Sequence, residues 1–525
     1  MLTNWFAPQP EGNRSSMDDA RSEGDFDTEV VEPDQGNVLS HIISQLRPGA
    51  DLSRVVLPTF ILEPRSMLER ITNFMCHPEM LLHIPTIDDP TERFLSVVKF
   101  YLSGWHIRPS GVKKPLNPIL GEIFTCYWDL EKNKRAYYIS EQTSHHPPKS
   151  SYFYLAPDHH IRIDGTLKPR SRFLGNSAAS LMEGVAYLSL LNRGSDPSKG
   201  EQYILTQPNM YARGILFGKM KYELGDHSVV SCPELDLVAD IEFKTKGWVG
   251  GTYNAIGGSI KRASTGDILY DLSGLWSEEM FIKNLTTGHR EMFFDAAKAR
   301  PSPPLVRPIE EQEERESQKL WAATAKAVKE RNHELATDEK TKIEDRQREE
   351  AAQRLQSGVD WRPRLFRSID PASDGLGNAP ETLEWIINAH ISSDYSATPE
   401  VQTQQVLAIY PIIPGQKPNP DNAIPPSRNS GKITATAPEQ VPEQAPAPPA
   451  ASAPVPAPAS EPAPQTGAQD DLIDFGQNDA PAPEPSPQKP DEIETLLSST
   501  GKQAQGPLMD FTQDVKNNLP SNTKA

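Results

Sequence analysis

From about Ala136 to Asp295 the chain is a nearly unbroken succession of strand-like runs. Tyr152–Leu155, His160–Asp164, Tyr203–Thr206, Leu235–Glu242 and Ile268–Leu272 are rich in aromatic and β-branched residues, and turn residues separate them. Such side chains suit a pleated, half-buried surface. Connections this short cannot carry a parallel crossover, so neighbouring strands must run antiparallel. No helical pattern alternates with them, which excludes a parallel α/β fold. So many antiparallel strands are best accommodated in a large barrel or sandwich, which leaves few free edges.

Helical patterns flank this block, making the fold mainly β with flanking helices. Pro90–Ser103 is the best signalled: Asp89 suits the cap, Pro90 the first turn and Gly104 the stop. Phe94, Val97, Val98 and Tyr101 make its apolar stripe. Asn37–Leu46 reads as a short amphipathic helix ended by Pro48 and Gly49. Glu310 to about Leu355 is helical and dense in charge, and Asp360–Phe366 is an extended, proline-broken segment.

The two ends differ from the middle. Residues 1–36 are acidic and poor in aliphatics, Trp5 and Phe6 excepted, and read as a disordered arm. The chain has 50 prolines in 525 residues, about twice ordinary usage, and they crowd toward its C-terminus. That Pro/Ala-rich composition cannot bury a core, so 406–525 reads as a disordered tail and 37–405 as the folded domain.

The net charge of −18 excludes a general nucleic-acid binder, so any anion site must be built locally from a few placed cations. The three cysteines, Cys76, Cys126 and Cys232, are far apart and form no CxxC pair. They suit a reducing cytosol rather than a disulfide framework or a thiolate metal site. No apolar run reaches the ~18–20 residues that span a bilayer.

The chemistry concentrates in Glu141-Gln-Thr-Ser-His-His-Pro-Pro148. Two adjacent imidazoles can donate to a phosphate, and a bound dianion favours their protonated form. Three other readings stand beside this one. A metal site lacks a third ligand at helpful spacing. A Ser144/His145 nucleophile lacks a GxSxG elbow. Two ordinary loop histidines would need no special chemistry.

This octapeptide resembles the signature of the oxysterol-binding protein family. Lys114–Glu122, Leu57–Ser66, Lys340–Arg348 and Asp360–Phe366 resemble further landmarks of that family, in the same order along the chain. The resemblance implies a near-complete antiparallel β-barrel around a lipid-sized tunnel. The lid would span 37–60, a helical part 61–110, the barrel 111–308 and a C-terminal helical part 309–405. It implies a carrier rather than an enzyme, with no cofactor and no metal. The ligands would be membrane lipids: phosphatidylinositol 4-phosphate, exchanged for phosphatidylserine or a sterol. His145, His146 and Arg348 would hold the 4-phosphate. Lys114 and Asn117 would hold the phosphodiester, and Lys340 and Glu344 the inositol edge. The stretches 104–114 and 170–176 are similar to the fungal branch that exchanges phosphatidylserine, which would place Leu57 in the lid and Ser171 at the serine headgroup. The protein would then be cytoplasmic and peripheral, at contacts of the endoplasmic reticulum with the plasma membrane or Golgi.

Other motifs compete for attention. Glu291–Ala296 resembles a two-phenylalanine receptor-binding motif, but it sits at a strand end where Phe293 and Phe294 are expected to be structural. Leu472–Phe475 in the tail resembles boxes that bind trafficking adaptors. Gly214–Lys219 fails the spacing of a phosphate loop.

Overall fold

A computed structural model of the chain describes residues 28–30 (backbone only), 46–52, 58–215, 219–247, 250–369, 383–393 and 397–417. The strands begin with β1 (Thr28–Val30), β2 (Leu62–Ser66), β3 (Lys114–Leu116), β4 (Ile123–Asp129), β5 (Arg135–Ser144), β6 (Lys149–Ala156), β7 (Ile161–Phe173) and β8 (Ser177–Leu190). They continue with β9 (Glu201–Leu205), β10 (Asn209–Arg213), β11 (Lys219–Cys232), β12 (Leu237–Lys244), β13 (Ala255–Arg262), β14 (Ile268–Leu275), β15 (Glu279–Asn284) and β16 (Arg290–Asp295). One 14-stranded sheet runs β16-β15-β14-β13-β12-β11-β10-β8-β7-β6-β5-β4, with β1 and β9 attached at β11. Every pairing in it is antiparallel, as the turn-length connections require.

Strand alternation assigns the faces. In β4, Phe124, Cys126 and Trp128 join the main core, while Ile123 and Tyr127 join a second cluster on the opposite face. Tyr138 and Tyr137 in β5 divide the same way, as do Tyr154 and Phe153 in β6. These strands are therefore buried on both sides. Gly184 makes one tight approach possible: its φ is +119°, and an added Cβ would lie 2.1 Å from the Thr166 carbonyl oxygen.

The helix Pro90–Ser103 fills the inside of the sheet. Asp89 Oδ1 accepts the Glu92 N–H at 2.8 Å, the expected cap. Phe94, Val97, Val98 and Tyr101 are buried. Phe94 meets Tyr203, and the following Trp105 meets Phe243 edge-on with ring centroids 5.6 Å apart. Arg93, on the same helix, forks onto Glu201 with two 2.7 Å bonds, tying the helix to β9. The Glu201 carboxylate holds the Arg93 guanidinium pKa above its ordinary value.

The chain after β16 bridges toward the first barrel strand. Tyr127 and Leu305 exchange backbone bonds of 2.9 and 2.7 Å, and Ile123 N–H donates to the Arg315 carbonyl at 2.9 Å. The edge of β4 is thus covered by a returning segment rather than left open.

Several boundaries differ from expectation. Strand structure is present before Ala136: β2 lies within 61–110, expected to be helical, while β3 and β4 fall inside the expected barrel bounds although the prolines and glycine of 115–121 mask their pattern. Thr28–Val30, inside the expected disordered arm, pairs with Lys219–Lys221. The stretch expected to be helical after 309 also holds β17 (Phe366–Ser368) paired with β18 (Trp385–Ile387). The folded part runs past 405: the helix Pro399–Ile409 crosses that point, and Val406, Tyr410 and Ile412 are buried against the outer face of β4–β6. The lid helix up to residue 45, Leu57, Trp5, Phe6 and the tail motifs lie outside the described residues. Phe293 and Phe294 are buried in β16, in keeping with a structural role.

Candidate functional site

A cavity of about 310 Å3 opens along the inside of the sheet. Its deeper wall is apolar, with Met67, Ile71, Phe74, Trp105, Leu167 and Met182 among the lining. Lys114, Asn117, His145, His146, Lys340 and Glu344 line it too, as does Ser171. A concave apolar chamber with a few convergent polar groups is the usual form of a small-molecule site.

Separate elements deliver these groups. Lys114 opens β3, which lies parallel to β2 with Leu62 opposite Lys114. Asn117 begins the loop that returns to β4. That loop is stitched beside the histidine strand: Gly121 N–H donates to the Gln142 carbonyl at 3.0 Å, and Gln142 N–H to the Glu122 carbonyl at 2.9 Å. Gly121 has φ +74°, and an added Cβ would lie 2.4 Å from the Trp361 ring, so only glycine fits beneath that indole. His145 and His146 form the tight turn between β5 and β6, with ring centroids 4.5 Å apart and a cis peptide joining His146 to Pro147. Ser144 Oγ donates to the Pro147 carbonyl at 2.7 Å and braces that turn.

The third contributor is the long helix His333–Ser357. Asn332 caps it by accepting the Leu335 N–H at 3.1 Å, and Gly358 ends it in the left-handed region. Lys340 and Glu344 pair along one face at 2.6 Å. Arg348, two turns on from Lys340, does not line the cavity; it is exposed and paired with Asp345. The expected phosphate-holding trio is therefore not assembled here: two histidines face the cavity and the arginine points elsewhere.

The local electrostatics favour an anion. Burial lowers the Lys114 pKa, and the neighbouring Lys340 ammonium lowers it further. Burial and His146 push His145 down to about 4, with the Pro118 carbonyl weakly opposing. Cationic groups held together at the expense of their own charge become more favourable when a phosphate arrives.

Sequence reasoning missed four contributors. Ser180 lines the cavity directly across from Ser171, a pairing visible only in the β7–β8 register. Glu122 is a buried hub. Ser66 Oγ, Ser317 Oγ, Trp321 Nε1 and Ile119 N–H all donate to its carboxyl, at 2.5, 2.6, 2.9 and 3.1 Å. Burial raises its pKa despite those donors. Glu141, first residue of the histidine motif, accepts the Arg364 and Leu365 N–H groups at 2.7 Å each and fixes the 360–366 segment. Gln347 joins the long helix to His145. Among the described residues no group of His, Cys, Asp and Glu is arranged to hold a metal ion, and no helix is long and apolar enough to cross a membrane.

The oxysterol-binding protein family model matches residues 41–330. The Candida albicans oxysterol-binding protein-like protein OBPalpha is 50% identical over 399 residues, covering 76% of this chain and 90% of that protein. Oxysterol-binding protein homolog 6 of Saccharomyces cerevisiae is 49% identical over 410 residues, covering 77% and 88%. Among solved structures, the Osh1 ORD domain in complex with ergosterol matches 67% of this chain and 86% of its own, with TM-score 0.55 at 23% identity. The Osh3 ORD in complex with PI(4)P from Saccharomyces cerevisiae covers 70% and 92%, with TM-score 0.50 at 21% identity. With this sheet around this cavity, and relatives at half identity over three quarters of its length, the chain belongs to the oxysterol-binding protein family.

Proposed function

We propose that the chain is a carrier that extracts phosphatidylinositol 4-phosphate from one membrane and exchanges it for a second lipid, phosphatidylserine, in the same cavity. The observation that carries this reading is the convergence of Lys114, His145, His146 and Lys340, from three separate elements, at an otherwise apolar chamber. A phosphomonoester needs charge-assisted donors, and acyl chains need an apolar wall. The Osh3 structure in complex with PI(4)P lends support from a relative of the same fold.

The energetics place selectivity at the headgroup. Each buried CH2 is worth about 0.8 kcal/mol against water, but a bilayer offers the same shelter, so chain burial nearly cancels between membrane and protein. The histidine turn and Lys114 would hold phosphates. Lys340, with Glu344, would meet the inositol hydroxyls. Arg348 would join them by leaving Asp345. Ser171 and Ser180 face each other on the cavity wall and suit a small polar headgroup such as serine. A sterol is the alternative second ligand, given the Osh1 domain in complex with ergosterol. One cavity for both lipids makes their binding exclusive, so a gradient of one could drive the other. On this reading the protein carries its ligand unaltered and visits membranes from the cytoplasm, at endoplasmic reticulum contacts. Adaptor binding through Leu472–Phe475 remains a separate proposal.

The test is extraction and transfer between vesicles containing phosphatidylinositol 4-phosphate, phosphatidylserine or sterol. Lys114→Ala and Lys340→Ala should each lower phosphoinositide extraction roughly tenfold, the loss of one charge-assisted bond, and spare the second lipid. If wild type extracts no phosphoinositide, the reading is wrong.

A further inference from the structure

Only Ala336 and Gln347 are buried along the whole of the long helix. Burying an alanine in a charged helix needs no explanation; burying an amide does, because every one of its polar atoms must then find a partner. Gln347 finds two. The Leu120 N–H donates to Oε1 at 2.8 Å, which fixes the oxygen toward the 117–121 loop. The amide NH2 must therefore point the other way, and it lies 2.8 Å from His145 Nε2.

That contact dictates the state of the imidazole. An NH2 group can only donate, so Nε2 must offer its lone pair, and a neutral ring then carries its proton on Nδ1. His145 Nδ1 is itself buried and makes no well-formed hydrogen bond with the protein, although the Pro118 carbonyl lies close enough to act on the ring as a weak acceptor that a phosphate oxygen would have to outcompete. Protonating Nε2 would set two donors against each other, and reversing the amide would confront the Leu120 N–H with a second donor. The groups around His145 add no counter-charge in direct contact. His146 shares its turn, Lys114 and Lys340 are cationic, and Glu344 is already paired with Lys340.

We infer that Gln347 is a positioning residue that locks His145 as the Nδ1–H tautomer, so that the cavity presents one oriented, neutral donor to an incoming phosphate oxygen. The inference rests on the phosphoinositide reading for its ligand and on the Gln347 contacts for its geometry. It revises the expectation that a bound dianion protonates both histidines: His145 donates without changing charge. It also gives the long helix a task beyond supplying Lys340 and Glu344, since movement of that helix would release the histidine.

The test uses the full chain labelled with 15N at histidine, with His145→Asn to assign the signal. Long-range 1H–15N correlation should show His145 as Nδ1–H in the empty protein. Gln347→Met should shift it toward Nε2–H and weaken extraction of phosphatidylinositol 4-phosphate from phosphatidylcholine vesicles roughly tenfold. Gln347→Glu keeps an acceptor for Leu120 N–H and sets a carboxylate on Nε2, which favours the imidazolium. That variant should retain extraction, but with an affinity that falls more steeply than that of wild type as pH rises from 7 to 8.5, because His145 then titrates as well as His146. An Nε2–H tautomer in wild type, or a Gln347→Met protein unchanged in both tautomer and extraction, overturns the inference. A wild type with the Nδ1–H tautomer that extracts no phosphoinositide leaves the lock standing and overturns its phosphate.

Discussion

Glu141 shows how a motif residue can serve the site without touching its occupant. It does not line the cavity; it accepts two backbone N–H groups from 364 and 365. Burial nevertheless pushes its pKa up to about 7. The folded protein then binds a proton that the unfolded chain, near 4.5, has released. Relative to Glu141→Gln, wild-type stability should therefore fall as pH rises from about 4.5 to about 7, by on the order of 3 kcal/mol, and level off above. Denaturant melts of both proteins across that range check it, and parallel curves would contradict it. The side chains proposed to meet a phosphate, Lys114, His145, His146 and Lys340, were legible through the resemblance of their motifs to a known family; type and spacing alone read equally well as two loop histidines and a solvated salt-bridge row. Glu122, Glu141 and Gln347 were not legible, because their partners lie far away in sequence, and a buried carboxyl looks like any other until those partners are placed. Arg348 was legible as a cation, but its rotamer and its pairing with Asp345 were not.

At the scale of elements, local signals predicted well and long-range ones did not. The helix Pro90–Ser103 carries its own cap, first-turn proline and apolar stripe, so its place in sequence and its buried face follow from neighbours alone. The helix Pro399–Ile409 carries its apolar residues without a clear one-sided stripe, and its partner is the outer face of β4–β6, formed far earlier in the chain. The proline-rich composition beyond it hid that role. Ending the chain at 405 should remove Val406, Tyr410 and Ile412 from that face, along with the Pro411 carbonyl that accepts from Thr125 Oγ1 at 3.0 Å. Buried side chains of this size are worth about 2–5 kcal/mol each. A chain ending at 405 should melt well below one ending at 417; equal melting temperatures would show the helix to be dispensable. Glu122 links other elements, drawing Ser66, Ser317 and Trp321 to the start of β4. Glu122→Leu leaves those donors buried without an acceptor and should cost about 3–5 kcal/mol in chemical denaturation, whereas Glu122→Gln should cost less. A loss below 1 kcal/mol for the leucine variant would refute the hub.

For the whole molecule, antiparallel architecture was written in the succession of strands, but closure was not. Nothing local announces that residues 302–316 return to cover β4 and leave a chamber behind it. That chamber has one apolar interior and one cluster of polar and basic side chains, so on the proposed function two lipids compete for a single space. Native mass spectrometry of the full chain, incubated with vesicles holding both phosphatidylinositol 4-phosphate and phosphatidylserine, tests this most directly. The account predicts one lipid per chain, of either kind but never both. It also predicts that His145→Ala/His146→Ala loses the phosphoinositide adduct and keeps the other. A chain carrying both lipids at once, or a double variant that keeps its phosphoinositide, would contradict it.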